Sequence, residues 1–490
     1  MVISTIIKPN KPTPTGQKKF ALKVSSLYPV LVTMNLEDQE LTLSAEDCIL
    51  LTDLYQLTMA ACYTGEGLCE RSASFELFVR KLPQSFGYLI AMGLAQALDY
   101  LETFRFSASQ LQALQATGLF AGAPDRFWLL LAEGRFTGDV WAVPEGTAVF
   151  ANQPLLRVDA PLWQAQIVET YLLNTINYQT LVATRAARMR DAAGTEAKLL
   201  EFGTRRAFSP QASLWAARAA MAAGLDATSN VLAALKLGRK PSGTMAHSLV
   251  MAIAAVEGSE QDAFSAFYRY FPNSVLLIDT YDTIAAAEQL AQREQAGELQ
   301  VAGVRIDSGD LATLSQNVRS LLPHATIFAS GDLDEYEIAR LKKAGACIDG
   351  YGLGTRLVTG NPVNGVYKLV EIDDIATMKQ APNKVTYPGR KQIYRQIVEG
   401  KHIKDRLALA SEPPLEKEQP LLQLVMKQGQ RIQPPEPLED IKKRTSASVA
   451  TLSTATRQLE NPIEPLVEIS DALQQLTQVT QQRQTLVMSH

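Results

Sequence analysis

Residues that build metal sites, disulfides or membrane spans are scarce in this sequence. Its four cysteines form no CxxC pair and have no zinc-type spacing with histidine, which argues against a disulfide scaffold and a structural zinc site. No run reaches the roughly 18 apolar residues of a membrane-spanning helix. The longest uncharged run, 82–98, contains two glutamines and a serine. We expect a soluble protein of the reducing cytoplasm with no membrane partner.

An excess of positive charge is also lacking. The formal net charge is −4, so the chain as a whole does not attract nucleic acid or anionic lipid, and we expect no nucleic-acid partner. A local basic pocket for phosphate groups remains compatible with this charge. Any ligand site is therefore expected to be local.

The common nucleotide-binding loops are missing as well. The segment 360–365 has the glycine spacing of a GxxxxGK[ST] loop, but Val366 stands where that loop has lysine. The segment 350–354 reads GxGxG, which is not the dinucleotide fingerprint GxGxxG. The sequence thus excludes the common nucleotide-binding loops.

The length of 490 residues, with 46% apolar and 20% charged residues, predicts two domains or one barrel with large additions. Residues 1–33 contain five lysines and no acid. We interpret 1–45 as a disordered leader, with a transit peptide as the alternative. Residues 46–178 mix helical and strand patterns, including a strand at 75–79, and predict an α+β N-terminal domain.

From 198 onward, short apolar runs end in polar or glycine-containing clusters and alternate with helical segments. The spacing of about 20 to 26 residues between the last four runs is that of strand, loop and helix in a parallel structure. We predict an α/β fold with a (β/α) barrel over 179–400, two units of which fit between 203 and 275, one of them ending at 243–248. A C-terminal segment, 401–490, is expected to pack on it as a largely helical appendage. The runs are 198–203, 275–282, 301–310, 326–332 and 347–354.

In such a barrel the polar ends of the strands converge on one face. The residues expected to meet there are Arg205, His247, Asp279, Asp307, Ser330 and Gly354. The last two loops contain Ser330 and Gly331, then Gly352, Gly354 and Thr355, and are candidates for phosphate binding through backbone N–H groups and helix N-termini. The alternative is that these glycines only make tight turns.

Two pairs of carboxylates lie at strand ends. Asp307 and Asp310 are candidates for binding Mg²⁺ or ribose hydroxyls, because bare carboxylates would repel a phosphorylated substrate. Asp279 and Asp282 form the second pair, and helix N-capping is an equally good interpretation of Asp282.

Four other residues have both a functional and an ordinary interpretation. Arg205 and Arg206 at a strand end suit a carboxylate or phosphate, although a surface ion pair would also explain them. His247, one of four histidines, is by its spacing alone more readily a satisfied core residue than a catalyst. From the sequence pattern alone, Tyr55 is explained as an ordinary aromatic residue of a helix.

Taken in order, the motifs of this chain resemble those of nicotinate phosphoribosyltransferases. The similarity covers about residues 46–400 and only weakly the C-terminal segment. The motifs are TDLYQLTM at 52–59, FELFVRKLP at 75–83, EFGTRRA at 201–207, SNVLA at 229–233, SGTMAHS at 242–248, LIDTYDT at 277–283, GVRIDSGDL at 303–311, ASGDLDE at 329–335, GLGTRL at 352–357, YKLVEI at 367–372 and PGRKQIYR at 388–395.

The resemblance implies the irregular barrel of type II phosphoribosyltransferases and a homodimer in which the N-terminal domain of one subunit completes the active site of its partner. It implies that Tyr55 stacks on the pyridine ring and that Arg205 and Arg206 hold the nicotinate carboxylate and the 5′-phosphate side. Asp307 faces ribose or Mg²⁺, with Asp310 beside it as a second metal residue. Ser248, Asp279 and Arg305 join the substrate site, and the loops 330–332 and 352–355 bind phosphate.

For His247 the resemblance reverses the interpretation from spacing. It implies that ATP phosphorylates this histidine transiently, so that ATP hydrolysis drives the formation of nicotinate mononucleotide and pyrophosphate from nicotinate and phosphoribosyl pyrophosphate. The enzyme would then be an ATP-coupled ligase with Mg²⁺ as cofactor. A neutral imidazole is nucleophilic near neutral pH, which suits this role.

Other activities remain as alternatives. Nicotinamide and quinolinate phosphoribosyltransferases share the fold, but the GTMAHS motif argues against quinolinate and the arginine pair argues, less firmly, against a neutral amide. The segment 275–283, a strand ending in aspartate, raises type I phosphoribosyltransferases as an alternative, but that class requires adjacent acids and a TGGT-like loop, and neither is found in this segment. A non-catalytic sensor of nicotinate is the rival from another class. Thr204, where the family often has a larger aliphatic residue, is expected to affect only the pyridine pocket.

Overall fold

The computed structural model describes residues 41–380 and 386–488, with side chains as far as 486. Most of the predicted leader therefore lies outside the described residues.

After a short 3₁₀ helix, Glu46–Leu50, the helices are α1 Leu54–Gly65, α2 Leu94–Glu102, α3 Ala108–Ala116, α4 Asp125–Glu133, α5 Leu162–Ile167, α6 Glu169–Ala193, α7 Pro210–Ala222, α8 Val231–Lys236, α9 His247–Glu257, α10 Glu260–Tyr270, α11 Thr283–Gln295, α12 Leu311–Leu321, α13 Glu335–Lys343, α14 Thr355–Val358, α15 Leu438–Thr451, α16 Thr454–Arg457 and α17 Asp471–Met488.

The strands belong to an antiparallel N-terminal sheet, a parallel sheet, a C-terminal sheet and a short antiparallel pair. In chain order they are β1 Ser72–Val79, β2 Leu89–Ile90, β3 Asp139–Ala142, β4 Ala148–Val149, β5 Pro154–Pro161, β6 Lys198–Glu201, β7 Ala227–Thr228, β8 Val275–Leu277, β9 Gly303–Ile306, β10 Thr326–Ala329, β11 Gly350–Leu353, β12 Gly365–Ile372, β13 Ile375–Ala376, β14 Lys391–Val398, β15 Lys401–Leu409, β16 Glu418–Pro420, β17 Gln423–Lys427, β18 Gln430–Arg431 and β19 Val467–Ile469.

The parallel sheet has the strand order β7-β6-β11-β10-β9-β8. This is the order of a barrel that is interrupted only between β7 and β8. Five of its strands lie within the runs predicted from the sequence, because each run is a short apolar stretch followed by a turn and a helix. The predicted β/α architecture is confirmed by this order.

Between β6 and β8, where two strand units were predicted, the structure has only one strand among the described residues. This is the short strand β7, whereas the segment 242–246 forms no strand. The Ser242 N–H donates to the Thr228 carbonyl at 2.9 Å, and the Thr244 hydroxyl donates to the Val275 carbonyl. The segment therefore contacts both edge strands and occupies the place of a strand between them. It is not a strand itself, because it pairs through single hydrogen bonds rather than a ladder.

Asparagine, serine and aspartate cap the barrel helices at their N-termini. Ser209 accepts a hydrogen bond from the Ala212 N–H, with Pro210 at the first helical position, and Asn230 accepts one from the Ala233 N–H. Capping side chains satisfy N–H groups that have no partner within the helix. Each cap therefore fixes the point where a strand-end loop becomes a helix.

Strand pairing crosses the predicted domain boundaries at 178 and 400. Helix α6 runs continuously through the first boundary, and the second lies in the turn between β14 and β15. Strand β12, expected within the barrel region, pairs with β1 in the N-terminal sheet. The predicted C-terminal segment 401–490 contributes β15 to β19 as well as helices. Pairing over such distances depends on tertiary contacts that local patterns do not encode.

The two large hydrophobic cores correspond to the barrel and to the N-terminal sheet with its helices. Helix α7 packs on α6 through alanines that are completely buried, so the two helices can approach closely. None of the described helices combines the length and the hydropathy that a membrane-spanning segment requires.

Candidate active site

The carboxyl ends of the parallel strands bring several predicted site residues into direct contact. Asp279 follows β8, Asp307 follows β9 and Ser330 follows β10. The carboxyl ends of parallel strands share one edge of a sheet, so loops far apart in sequence become neighbours there. The contacts described below lie at this edge.

Asp279 connects the ends of β8 and β9. Its side chain is 2% exposed, and its Oδ2 atom accepts hydrogen bonds from the Asp307 N–H at 2.9 Å and the Ser308 hydroxyl at 2.7 Å. The Oδ1 atom is buried and has no hydrogen-bond partner among the described residues. It lies 4.0 Å from His247 Nε2. One oxygen of this carboxylate is thus structural, and the other faces the histidine.

His247 is the first residue of α9 and its side chain is 40% exposed. Its Nδ1 atom lies 3.1 Å from the Thr280 hydroxyl, which donates or accepts depending on the tautomer of the ring. Among the residues that the structure describes, the ring has this contact and the distant Asp279 oxygen as polar neighbours, so it is loosely held and accessible. These properties suit a histidine that exchanges protons or a phosphoryl group with a substrate.

Arg305 joins three segments beneath the site. Its Nη1 donates to Asp307 Oδ1 and Ser330 Oγ, each at 2.9 Å, and its Nη2 donates to the Met245 carbonyl at 2.9 Å. The Ser330 hydroxyl in turn donates to Asp307 Oδ1. Burial lowers the pKa of Arg305, while the carboxylates of Asp307 and Asp279 oppose this effect. The result is a network that orients Asp307 and Ser330.

Arg205 and Arg206 lie in the turn after β6, and both are exposed. Neither forms an ion pair within the part of the chain that the structure describes. The charge of Arg205 lowers the pKa of Arg305, which indicates that these two cations are near each other. Ser248, the second residue of α9, is also exposed. These three side chains are therefore available to a ligand.

The backbone explains why glycine occurs in both predicted phosphate loops. Gly331 has φ +95°, and a Cβ atom there would lie 2.2 Å from the Asp307 carbonyl oxygen. A Cβ atom at Gly352 would lie 2.6 Å from the ring of Phe202. Tight turns and close packing thus account for these glycines, as the alternative interpretation held. Phosphate binding by Gly331, Gly352, Gly354 and Thr355 stays a prediction.

The N-termini of α13 and α14 do not have the properties expected of phosphate-binding helix ends. The carboxylate of Asp334 accepts hydrogen bonds from the Tyr336 and Glu337 N–H groups, so the N-terminus of α13 is already capped. Helix α14 has only four residues, too few for a substantial macrodipole. Any phosphate bound here would depend on loop N–H groups and on side chains.

Two of the four strand-end aspartates are helix caps. Asp282 Oδ1 accepts from the Ile284 and Ala285 N–H groups at 3.0 Å, so the capping interpretation is confirmed. Asp310 caps α12 through the Ala312 N–H, and the Thr313 hydroxyl donates to its second oxygen. No group of three or more histidines, cysteines or carboxylates suited to a metal occurs among the described residues.

Tyr55 is not brought to this site within one chain. It lies on α1 and is 47% exposed. Burial raises its pKa, with further contributions from Glu169 and Asp53, which identifies its surroundings as the N-terminal domain. Its neighbour Gln56 donates to Glu169 Oε2 at 3.1 Å. The position of Tyr55 is consistent with contact to another molecule.

Two side chains of this site were not predicted from the sequence. Thr280 contacts His247 and lies inside the LIDTYDT motif. Its position next to Asp279 in the sequence could have predicted that it lies at the site. Glu260, on α10, has a buried Oε1 without a partner among the described residues. Burial, followed by the charges of Asp279 and Asp282, raises the pKa of Glu260 to about 7. No local pattern marks Glu260, because its neighbours come from another strand.

Comparison with known protein families gives three consecutive matches. The model of the nicotinate phosphoribosyltransferase N-terminal domain matches residues 50–177, and that of the nicotinate phosphoribosyltransferase family matches residues 197–329. The model of the nicotinate phosphoribosyltransferase C-terminal domain matches residues 416–477. The matches cover the N-terminal domain, most of the barrel and part of the C-terminal segment.

Curated relatives are similar over most of the chain. A Mycobacterium tuberculosis protein named nicotinate phosphoribosyltransferase pncB2 is 42% identical over 402 residues, which is 80% of this chain and 84% of the relative. The Bacillus subtilis nicotinate phosphoribosyltransferase is 43% identical, covering 72% and 74% of the two chains. The human nicotinate phosphoribosyltransferase is 34% identical, covering 87% and 95%.

Solved structures agree with the fold. The crystal structure of human nicotinic acid phosphoribosyltransferase superimposes with a TM-score of 0.78 at 30% identity, covering 87% of this chain and 99% of the human one. A Pyrococcus furiosus nicotinate-nucleotide pyrophosphorylase has a TM-score of 0.69 at 22% identity, covering 85% and 99%. The second likeness concerns the fold alone. The predicted type II barrel is confirmed.

Proposed function

Because this chain belongs to the nicotinate phosphoribosyltransferase family, we propose that it joins nicotinate to the ribosyl group of phosphoribosyl pyrophosphate. The products are nicotinate mononucleotide and pyrophosphate, on the route to NAD. The observation that supports this proposal most strongly is the cluster of His247, Asp279, Arg305, Asp307 and Ser330 at one edge of the barrel sheet.

In the transfer step, the pyridine nitrogen attacks C1′ of the ribosyl group as pyrophosphate departs. Positive charge develops on the ribosyl ring in such a reaction, and nearby carboxylates stabilise it. Asp279 and Asp307 are held rigidly enough to do so, because backbone and arginine contacts orient them before substrate binds. Arg205 and Arg206 are exposed cations that suit the nicotinate carboxylate and the 5′-phosphate. No covalent ribosyl intermediate is required.

We further propose that ATP phosphorylates His247 and that hydrolysis of the phosphohistidine favours product formation, which makes the enzyme an ATP-coupled ligase. The imidazole attacks the terminal phosphorus of ATP, ADP leaves, and water later removes the phosphoryl group. Loose contacts to Thr280 and Asp279 support this role, because a modified ring must be free to adjust. Asp279 Oδ1 is placed to interact with a proton on Nε2.

Mg²⁺ is the proposed cofactor, and it would neutralise the charge of the departing pyrophosphate when bound. Because Mg²⁺ is usually held by one or two carboxylates plus substrate phosphates, the described chain does not need a dedicated cluster. Asp307 fits as a protein contact, since only its Oδ1 accepts the hydrogen bonds of Arg305 and Ser330. Asp310 fits less well, because binding a metal would compete with its capping of α12.

We propose a homodimer with shared active sites. On α1, Tyr55 and Leu54 expose about half of their surface. At the mouth of the barrel, Phe208 and the α8 residues Leu232 and Leu235 are exposed as well. Covering both apolar surfaces with one interface would bring Tyr55 to the partner's nicotinate site.

The proposal is tested with the purified chain, phosphoribosyl pyrophosphate and Mg²⁺, with or without ATP. Nicotinate, nicotinamide and quinolinate are offered separately, and products are identified by chromatography. We expect nicotinate mononucleotide from nicotinate alone, with ADP formed in parallel when ATP is present. Turnover of only nicotinamide or quinolinate contradicts the substrate assignment, and nicotinate binding without any turnover supports the sensor instead.

A further inference from the structure

Helix α6 extends along the backs of both loops that the sequence predicts to bind phosphate, 330–332 and 352–355. It carries Tyr178 and Arg185, which are seven residues apart and therefore lie on the same face. Arg188, one turn beyond Arg185, points to the same side of the barrel. Each of these side chains contacts a segment that follows a phosphate loop, and none of the three belongs to the loops themselves.

The segment after loop 352–355 depends on α6 for three of its carbonyl groups. Arg185 Nη1 donates to the carbonyls of Arg356 and Thr359, and the Tyr178 hydroxyl donates to that of Val358 at 3.1 Å. These carbonyls close the four-residue helix α14, and the last carbonyls of a helix have no partner within it. So short a helix is not stable alone. Its position is therefore set by α6.

Gly360 provides space for this arrangement. It has φ +127°, and a Cβ atom there would lie 2.2 Å from Arg185 Nη2. Burial lowers the pKa of Arg185, and the carboxylates of Glu335 and Asp334 oppose that effect. The guanidinium is thus close to the segment that follows the other phosphate loop as well.

The segment after loop 330–332 is held in a similar way. Arg188, 1% exposed, donates through Nε to Glu335 Oε1 at 2.8 Å, and its guanidinium lies over the ring of Phe86 at 4.7 Å. Glu335 is the first residue of α13. Because Arg188 is completely buried, its loss would affect folding. Arg185 and Tyr178 are only partly buried and are better suited to an experiment.

We propose that Arg185 and Tyr178 are positioning residues for phosphoribosyl pyrophosphate, which hold loop 352–355 in place through the carbonyls of residues 356–359. This inference rests on the proposed function. Neither side chain is required to touch the substrate. Because the loop binds through its backbone, a displacement of a fraction of an ångström weakens every contact to the phosphate together. Nicotinate and ATP would be bound by other groups.

The test compares steady-state kinetics of wild type, Arg185→Met, Arg185→Lys and Tyr178→Phe. Arg185→Met is expected to raise KM for phosphoribosyl pyrophosphate about tenfold, because two charge-assisted hydrogen bonds are lost. Tyr178→Phe removes one neutral hydrogen bond and is expected to raise it about threefold. Lysine should restore part of the loss. KM for nicotinate and the rate of ATP hydrolysis without nicotinate should change less than about twofold, because other groups bind these two substrates.

Arg190→Met is the matched control. Arg190 is on the same helix and is partly buried. It donates to the carbonyls of Gly194, Ala197 and Gly224 and forms an ion pair with Asp226 at 2.6 Å. These groups lie at the opposite end of the barrel strands, before β6 and β7. Because an ion pair is lost as well, Arg190→Met should lower thermal stability at least as much as Arg185→Met and leave KM for phosphoribosyl pyrophosphate unchanged.

The outcomes separate the possibilities. An unchanged KM for phosphoribosyl pyrophosphate in folded Arg185→Met overturns the inference, as does an equal rise in Arg190→Met. If Arg185→Met does not fold, Tyr178→Phe decides, and no rise in its KM overturns the inference. Failure of the wild type to form nicotinate mononucleotide is a different result: it rejects the proposed function, and the inference with it.

Discussion

Two histidine–aspartate pairs in this protein have opposite surroundings. His402, in the C-terminal sheet, is 4% exposed and lies 3.0 Å from Asp405 Oδ1, whereas His247 at the barrel edge is 40% exposed and 4.0 Å from Asp279 Oδ1. Asp405 also accepts hydrogen bonds from Arg395 and from Gln153. Asp279, by contrast, keeps one buried oxygen without a partner among the described residues.

The same two residue types form a saturated network in the C-terminal sheet, where both carboxylate oxygens are paired, and an open pair at the barrel edge, where one oxygen has no partner among the described residues. A saturated network is costly to break and has no capacity for a ligand. An accessible ring beside an unsatisfied carboxylate is costly to maintain and is ready to react. Substituting members of each pair should therefore affect stability at one site and catalysis at the other.

The largest expected effect is on folding, from Asp405→Asn. Removing the carboxylate leaves Arg395 buried without its counter-charge, which should lower the free energy of unfolding by about 3–5 kcal/mol. Chemical denaturation at pH 7 measures this. Asp374→Asn, at an ion pair whose aspartate is 90% exposed, is the control and should change stability by less than about 0.5 kcal/mol. Equal effects would remove the distinction between the two regions.

The pH dependence of the Asp405 contribution follows from its pKa. Burial raises this pKa, but hydrogen bonds and charges from Arg395 and His402 outweigh burial and lower it to about 2. Because the pKa is lower in the folded state than in the unfolded chain, the stabilisation is complete above about pH 4 and is lost as pH falls toward 2. The stability difference between wild type and Asp405→Asn should shrink over that interval.

The second effect is catalytic, from His247→Ala. We expect the ATP-dependent component of nicotinate mononucleotide formation to fall at least about 100-fold, because the proposed phosphoryl acceptor is lost. The free energy of unfolding should change by less than about 0.5 kcal/mol, since the ring is exposed and weakly held. His324→Ala, exposed at the opposite end of the barrel strands, is the control for both measurements. A destabilisation comparable with that of Asp405→Asn would show that His247 is structural.

The smallest expected effect concerns Glu260, near Asp279. Because burial and neighbouring acids raise its pKa to about 7, the folded state holds this proton more tightly than the unfolded chain does. Glu260 therefore destabilises the fold increasingly as pH rises from about 4.5 to 7 and has no such effect below that interval. Glu260→Gln should raise the melting temperature by about 2 °C at pH 8 and leave it unchanged at pH 4.5. An equal shift at both pH values, or the same shift in the exposed neighbour variant Glu257→Gln, contradicts this assignment.

Local sequence patterns were sufficient for the parallel strands of the barrel. Each run that became β6, β8, β9, β10 or β11 is a short apolar stretch followed by a turn and a helix, and this periodicity depends only on neighbouring residues. The grouping of Asp279, Asp307 and Ser330 followed from the same reasoning, because parallel strands end at one edge. The motif resemblance added the family, which the comparisons confirm.

Features that depend on distant partners were not predictable in the same way. Strand β12 lies in the N-terminal sheet because residues of β1 pair with it, and no pattern within 365–372 indicates that partner. The capping of α13 by Asp334 was likewise missed, although the side chain is local, because the same residues also fitted a phosphate loop.

By itself, the sequence determined the order of strands, caps and strand-end acids, because hydrophobic period and capping preference act between residues close in the chain. Local pattern could not distinguish His247 from His402, since both are single histidines within a few dozen residues of an aspartate, and only the motif resemblance singled out His247. The tertiary structure decided how exposed each histidine is and how its aspartate is paired. Burial and the number of donors around each carboxylate arise only when distant segments pack together. Within the described part of the chain, they leave Asp279 Oδ1 without a partner and both Asp405 oxygens paired.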